Sequence, residues 1–296
     1  MEMIRESKLT EVILIIEEMC ETELKALEQN LGHYHVALQS VLLSEYDVDE
    51  VLKNLSLLNE SACKKQGTLY ISDNEFIIQQ LLENDANVIL FLREYNREGS
   101  FLGVTYAIES LAGVDYDYLY HVYLRLTGQP WRILTTKRCV VREITLEDVP
   151  TLYEIYADPE VVQYTENLYE DIEEELQYTK DYIEKVYGFY GYGMWIIEEK
   201  QTGKVIGRAG LEYKEGREGA ELGFLIAKPF WRMGIATEVV DAILKYARDE
   251  LDIFHIYALV EKENEKSIAF CEKMRFDFVE EERQLHKTYL IFEKDI

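Results

Sequence analysis

From residue 139 to the C-terminus, strand-length apolar runs and stretches of helical period follow one another with little chain left between them. Residues 139–144 alternate as a strand does. Thr145 followed by Asp148 is a capping pattern that opens a helix running to about Tyr156. A second helix is expected over about 170–186, with an acidic face of Glu170, Asp171, Glu173, Glu174 and Glu175. Strands follow over 194–199 and 204–213, joined by Lys200-Gln201-Thr202-Gly203, and over 220–227 after a charged turn. A helix over 235–250, a strand over 254–260, a helix over 264–274 and strands over 277–282 and 287–293 complete the chain. The order β-α-α-β-β-β-α-β-α-β-β makes 139–296 an α/β domain.

The preceding part reads as a separate domain, 1–138, with the boundary in the run 128–136. Residues 9–57 are expected to be helical: Val12, Ile13, Ile15, Ile16 and Met19, then Leu24, Leu27 and Leu31, recur near helical spacing, and Gly32 is a natural stop. A second amphipathic stretch takes in Val36, Leu38, Val41, Leu42 and Leu43, then Val51, Leu52, Leu55, Leu57 and Leu58, with Asp47 and Asp49 ahead of its later half. From Gly67 the pattern changes. A strand over 68–71, a helix over 75–83 and a strand over 88–92 make a right-handed crossover with parallel strands, and 103–108 reads as a third strand. A tyrosine-rich helix covers 115–127.

Lys and Arg number 31 against 57 Asp and Glu, a net charge of −26. Such a chain repels phosphate backbones, so no nucleic-acid partner is expected. Cys20, Cys63, Cys139 and Cys271 form no CxxC pair, which fits a reducing cytoplasm. The run 12–16 is far too short to span a membrane, and the acidic start (Glu2, Glu6, Glu11) is not a signal peptide. His33, His35, His121, His255 and His286 have no metal-ligand spacing, so no metal is expected.

The stretch 221–238, ELGFLIAKPFWRMGIATE, ends a strand, turns through a short loop and opens a helix near Gly234. Backbone N–H groups at a helix start, with the helix dipole behind them, bind phosphates without needing a basic side chain. Gly234 and Ala236 are small, as close backbone approach demands, and Arg232 adds a positive charge. A plain strand-loop-helix junction has the same pattern.

Residues 139–296 resemble a GNAT-type acyl-CoA N-acetyltransferase, closest to the branch that acts on ribosomal-protein N-termini. The resemblance rests on Glu221-Leu222-Gly223-Phe224, Pro229-Phe230-Trp231, Gly234-Ile235-Ala236-Thr237-Glu238 and the segment NEKSIAFCEKMRF over 264–276. It implies a mixed, mostly antiparallel central sheet flanked by helices, with acetyl-CoA as co-substrate. The pyrophosphate is expected on backbone N–H groups of Arg232, Met233, Gly234, Ile235, Ala236 and Thr237. The pantetheine arm is expected along Phe224, Leu225, Ile226 and Ala227, where the central strands splay. Asn264 is placed near that arm; a pure helix cap explains it equally.

By the same resemblance a primary amine, on a small molecule or a peptide, attacks the thioester, and Glu221 is the candidate base, directly or through water. An outward-facing carboxylate at a strand end is the other reading of Glu221. The sequence departs from the family at two positions. Cys271 stands where many members carry a tyrosine acid, and Arg275 where glycine is usual. A Cys on an apolar helix face is ordinary packing, so the leaving thiolate is expected to take its proton from water or from Tyr187, Tyr190 or Tyr192. These tyrosines lie in or beside an aromatic, glycine-rich loop over 188–193 that is also placed to shape an acceptor pocket. A non-catalytic acyl-CoA-sensing or partner-binding module is the rival from another class.

Residues 71–92 faintly resemble a haloacid-dehalogenase-like Rossmannoid unit. That family's nucleophile needs Asp-x-Asp, and Ser72-Asp73-Asn74-Glu75 has no second Asp two positions after Asp73. A degenerate, non-catalytic unit is expected, with Asp73 as a helix cap.

Overall fold

The computed structural model describes residues 9–45, 51 and 67–296. The chain forms two compact units, Met1–Gln129 and Pro130–Ile296.

In the first unit β1 (Glu11–Ile16), α1 (Glu21–Gly32), β2 (Ala37–Leu42), β3 (Thr68–Ser72), α2 (Glu75–Glu83), β4 (Val88–Phe91), β5 (Ala107–Ile108) and α3 (Tyr116–Leu126) follow in chain order. The sheet runs β2-β1-β3-β4-β5 with every pair parallel, the order of a doubly wound fold. The parallel β3–β4 crossover is present as expected.

The expectation of helix over 9–57 is overturned at two described stretches. Residues 11–16 and 37–42 are strands, and 21–32 is helical. The reason lies in burial on both faces. Val12, Leu14 and Ile16 enter one apolar cluster, while Ile13 and Ile15 enter another. A strand covered on both sides is a continuous apolar run without alternation, which periodicity alone does not separate from a buried helix. The expectations for Asp47, Asp49, Leu52, Leu55, Leu57, Leu58 and Cys63 fall outside the described residues.

Asp73 does not cap α2. Asn74 does, its Oδ1 accepting from the Ile77 N–H at 2.9 Å. Asp73 directly follows β3 and is buried, accepting from the Glu17 N–H at 2.9 Å and the Tyr95 hydroxyl at 2.5 Å. It ties the ends of β1 and β3 to the loop after β4. Burial pushes its carboxyl up, against those two hydrogen bonds.

The second unit contains β6 (Arg132–Thr135), β7 (Cys139–Arg142), α4 (Val149–Tyr156), α5 (Ile172–Asp181), β8 (Met194–Glu199), β9 (Lys204–Glu212), β10 (Ala220–Ile226), α6 (Ile235–Glu250), β11 (His255–Glu261), α7 (Glu265–Lys273), β12 (Asp277–Gln284) and β13 (Lys287–Asp295). The sheet runs β12-β13-β11-β10-β9-β8-β7-β6. Only β10 and β11 are parallel; the other pairs are antiparallel, the mixed sheet expected. The chain divides ahead of 138/139 because Arg132–Thr135 pairs with β7 and belongs to this sheet.

Two local features brace the β7–β8 side of this sheet. A 3₁₀ turn, Leu146–Asp148, precedes α4, and Asp148 takes the Thr145 N–H at 2.8 Å and both arms of Arg142 at 2.7 and 2.8 Å. The α5 helix continues as a π-helical segment, Tyr182–Tyr187, and one further turn, Gly188–Tyr190, where a loop is expected. Tyr182 and Tyr187 are buried and bind β8: Met194 N donates to Tyr182 Oη at 2.7 Å, and Tyr187 Oη donates to Met194 O at 2.6 Å.

Candidate active site

The parallel strands β10 and β11 pair only at Ala220–Ile256 and Glu221–Tyr257. Beyond those rungs they part, although both continue, to Ile226 and Glu261. A groove of about 1660 Å³ opens there. Its floor includes Gly223, Phe224, Leu225 and Ile226, one end is the start of α6, and α7 supplies Phe270 and Cys271, with Asn264 at its cap. Phe224 and Phe270 meet with ring centres 4.4 Å apart across the wedge.

The start of α6 closes one end of the groove. Gly234 caps the helix at φ +76°, a left-handed conformation, and brings no side chain to the first N–H groups. Arg232 is also left-handed, at φ +59°. The turn is pinned from outside by Arg138 at the start of β7. Its Nε donates to Glu238 at 2.7 Å, its backbone N–H to the same carboxylate at 2.8 Å, and its second arm to Met233 O at 2.7 Å. Trp231 Nε1 donates back to Ile226 O at 2.6 Å, so strand end and helix start are fixed together. Lys266 lies 4.2 Å from the Trp231 ring centre, and Lys273 donates to Thr237 Oγ1 at 2.9 Å. In a chain of net charge −26, this gathers Arg232, Lys266 and Lys273 around one end of one groove.

Residues 138–277 match the family described as acetyltransferase (GNAT) domain. An uncharacterized N-acetyltransferase of Bacillus subtilis (strain 168), YoaA, is 31% identical over 147 residues, spanning 49% of this chain and 82% of that protein. The chain belongs to the GNAT acetyltransferase family. An uncharacterized N-acetyltransferase of Bacillus licheniformis, p20, is 30% identical over 148 residues, 48% of this chain and 81% of that protein. Among solved structures, RimL, a ribosomal L7/L12 alpha-N-protein acetyltransferase in its apo form, superposes with a TM-score of 0.50 at 16% identity, covering 57% of this chain and 97% of that one.

In this acetyltransferase Leu225, Ile226, Arg232, Gly234, Ile235, Ala236, Thr237, Asn264 and Glu221 all line the groove. Ala227 and Met233 do not. The Ala227 N–H is used by Ile206 O and its methyl is buried; the Met233 side chain lies in solvent and its carbonyl is held by Arg138. Asn264 is a cap, its Oδ1 taking the Ser267 N–H at 3.1 Å, and it also faces the groove.

Glu221 is half-buried at the last rung before the wedge. Burial raises its carboxyl pKa and the nearby Glu212 adds to this, while Lys214 and Arg217 pull it down. Burial pushes the Cys271 thiol up to about 12. Tyr187, Tyr190 and Tyr192 are absent from the groove wall. Tyr187 is spent on Met194 and Ile144, and Tyr190 stacks on Tyr213 at 5.4 Å. The groove's phenols come from Tyr156, Tyr164, Tyr169, Tyr178 and Tyr289 instead. Arg275 adopts φ +62°, the left-handed turn that a glycine takes without cost.

Arg138, Lys266 and Lys273 were not singled out by the sequence. Arg138 is far from the loop in the chain, and only the pairing that returns β7 beside α6 brings it there.

Proposed function

We propose that residues 130–296 transfer the acetyl group of acetyl-CoA to a primary amine, with the CoA pyrophosphate on the N–H groups of 232–237 and the pantetheine arm in the wedge beside Leu225 and Ile226. The observation that carries this reading is the opening of β10 from β11 directly into a helix start capped by a glycine. A strand edge without a partner offers N–H and C=O groups to an extended amide chain, and the helix start offers N–H groups to a phosphate. Arg232, Lys266 and Lys273 add positive charge at that end.

When bound, acetyl-CoA supplies a thioester whose acyl carbon is open to attack and whose sulfur departs as a thiolate. Glu221 takes the proton that the amine gives up, directly or through one water. Its raised pKa suits a group that must both accept and release a proton. Cys271 is a buried thiol held neutral by burial and by the Glu272 carboxylate, so solvent water protonates the departing sulfur. Asn264 holds the start of α7 and presents its amide N–H₂ to the arm.

For residues 1–129 we propose a role without phosphotransfer. Asp73 spends its oxygens on Glu17 and Tyr95.

The test is thiol release from acetyl-CoA across a panel of primary amines, with mass detection of the acetylated product. Release that needs an amine and yields the amide is expected. Tight CoA binding with no amine-dependent release in any member of a broad panel would favour a sensing module instead.

A further inference from the structure

We infer that the acceptor amine carries a carboxylate, and that Arg208 on β9 receives it. The inference deepens the proposed acetyl transfer and rests on it.

Arg208 lies in the wall of the groove, opposite Leu225 on β10 and Ile196 on β8. Its Nε is shut off from solvent and meets no hydrogen-bond partner. Its strongest electrostatic neighbours are the phenols of Tyr156, Tyr187 and Tyr182, and Tyr156 also hydrogen-bonds the guanidinium. Phenols bring no counter-charge near neutral pH, and burial pushes Tyr182 and Tyr187 well above the usual phenol range. Among the described residues no carboxylate lies within ion-pair distance of Arg208.

Two carboxylates that share the groove, Glu212 and Glu175, are already engaged. Glu212 pairs with Lys214 at 2.8 Å and accepts from Tyr182 Oη at 3.4 Å. Glu175, itself buried, takes the Tyr169 N–H at 3.0 Å. A guanidinium cannot shed its proton, and a shielded charge without a counter-charge is costly to hold in place. A wall residue of this kind is accounted for when the counter-charge arrives with the ligand. Guanidinium and carboxylate are matched in charge and in planar geometry. In a chain of net charge −26, an anionic acceptor is repelled by the protein as a whole, so a local cation is needed to seat it.

The register sets the spacing. Glu221 faces Glu212 and Leu225 faces Arg208 on the same pair of strands, about 13 Å apart along β10. The amine end of the acceptor belongs toward Glu221 and the carboxylate end toward Arg208. This favours an ω-amino acid or a short acidic peptide over a polyamine, whose second cation would meet the guanidinium.

The experiment compares acetylation of glycine, 4-aminobutanoate, 6-aminohexanoate and glycylglycine with that of their carboxamides, and of spermidine, by the intact chain. Wild type is expected to favour at least one free acid over its amide by about tenfold or more in kcat/KM, mostly through KM. Arg208→Gln is expected to collapse that ratio toward one, and Arg208→Lys to keep part of it. Equal use of acids and amides by wild type, preference for spermidine, or a ratio that survives in a folded Arg208→Gln would each overturn the inference while leaving acetyl transfer intact. No transfer to any amine in either series would remove the proposed function, and this inference with it. The wild-type comparison needs no variant to fold.

Discussion

Glu221 sits side by side with Tyr257 on the last rung that joins β10 to β11. One strand further on, Glu212 faces Glu221 from β9. The carboxyl is therefore partly withdrawn from water, beside a buried phenol with no hydrogen-bond partner and opposite another acid. Burial, and after it Glu212, raise its pKa against the pull of Lys214 and Arg217, and that shift determines how both rate and stability respond to pH.

The rate of acetyl transfer should rise with pH as Glu221 loses its proton, above the ordinary glutamate range. General-base help is worth about 10²- to 10⁴-fold, so Glu221→Gln should lower kcat/KM at least about tenfold below neutral pH and recover as the amine deprotonates by itself. Stability moves the other way. The folded carboxyl keeps its proton to higher pH than the unfolded one, so its contribution is full at low pH and is lost as pH rises through the folded value. Glu221→Gln should gain on wild type in urea midpoint as the pH is raised to neutrality. A variant with the wild-type pH–rate profile removes Glu221 from the chemistry.

Gly234 tests the proposed pyrophosphate site. Its φ of +76° is strained for any L side chain, although a Cβ would meet nothing nearer than an Arg138 nitrogen at 3.7 Å. Gly234→Asp adds a negative charge at the helix start, and CoA affinity should drop more than about tenfold, or roughly 1.4 kcal/mol. Calorimetry on a folded variant that binds CoA as wild type does would end the loop assignment.

Arg138 and Glu238 should act as one unit. Each single alanine variant should weaken CoA binding, and the double variant should cost little more than either, with a coupling on the order of 1 kcal/mol. Burial acts to raise the Glu238 pKa, and hydrogen bonds from Thr136 and Arg138 outweigh it, so the carboxyl lies below its usual range. The contribution of the pair is present above the ordinary glutamate pKa and fades as pH falls through the lower folded value. Strictly additive losses in a double-mutant cycle would show that the loop is held otherwise.

Cys271 should prove chemically quiet. With its thiol raised to about 12, it holds almost no thiolate near neutral pH. Cys271→Ala should keep most of the turnover and lose stability through a small cavity. Rapid native-state alkylation of Cys271, or loss of turnover in a well-folded Cys271→Ala, would give it a part in the reaction.

The first unit should hydrolyse no phosphoester. Magnesium-dependent release of phosphate from p-nitrophenyl phosphate that disappears in Asp73→Asn is the result that would reverse this reading. Asp73→Asn should also lower stability, since Tyr95 and the Glu17 N–H lose a charged acceptor.

Legibility in the sequence followed exposure. From β7 onward most elements lie on a sheet with hairpin turns and amphipathic helices, so alternation, Gly203 and the small residues at 234 and 236 mark them out. In β1, where Val12 and Ile13 are both buried, the pattern carries no period and the helical reading fails. At the site, Glu221 and the α6 start were legible because strand, loop and helix are consecutive. Arg138 braces the α6 start from outside the groove and meets Met233 and Glu238 only through folding, while Arg208 enters the groove wall through the pairing of β9 with β10. A single sequence gives no mark of such a meeting, and an arginine within Gly207-Arg208-Ala209-Gly210 reads as one more strand residue.

The wedge has a mechanical side as well. The strands from β6 to β10 form one plate and those from β11 to β13 another, and only the rungs at 220 and 221 rivet them edge to edge. A guest lying in the opening braces the two plates against each other, as a splint does across a split plank. The residue given the proton transfer is itself part of the rivet, so loosening at that seam and failure of the chemistry would be felt at the same place.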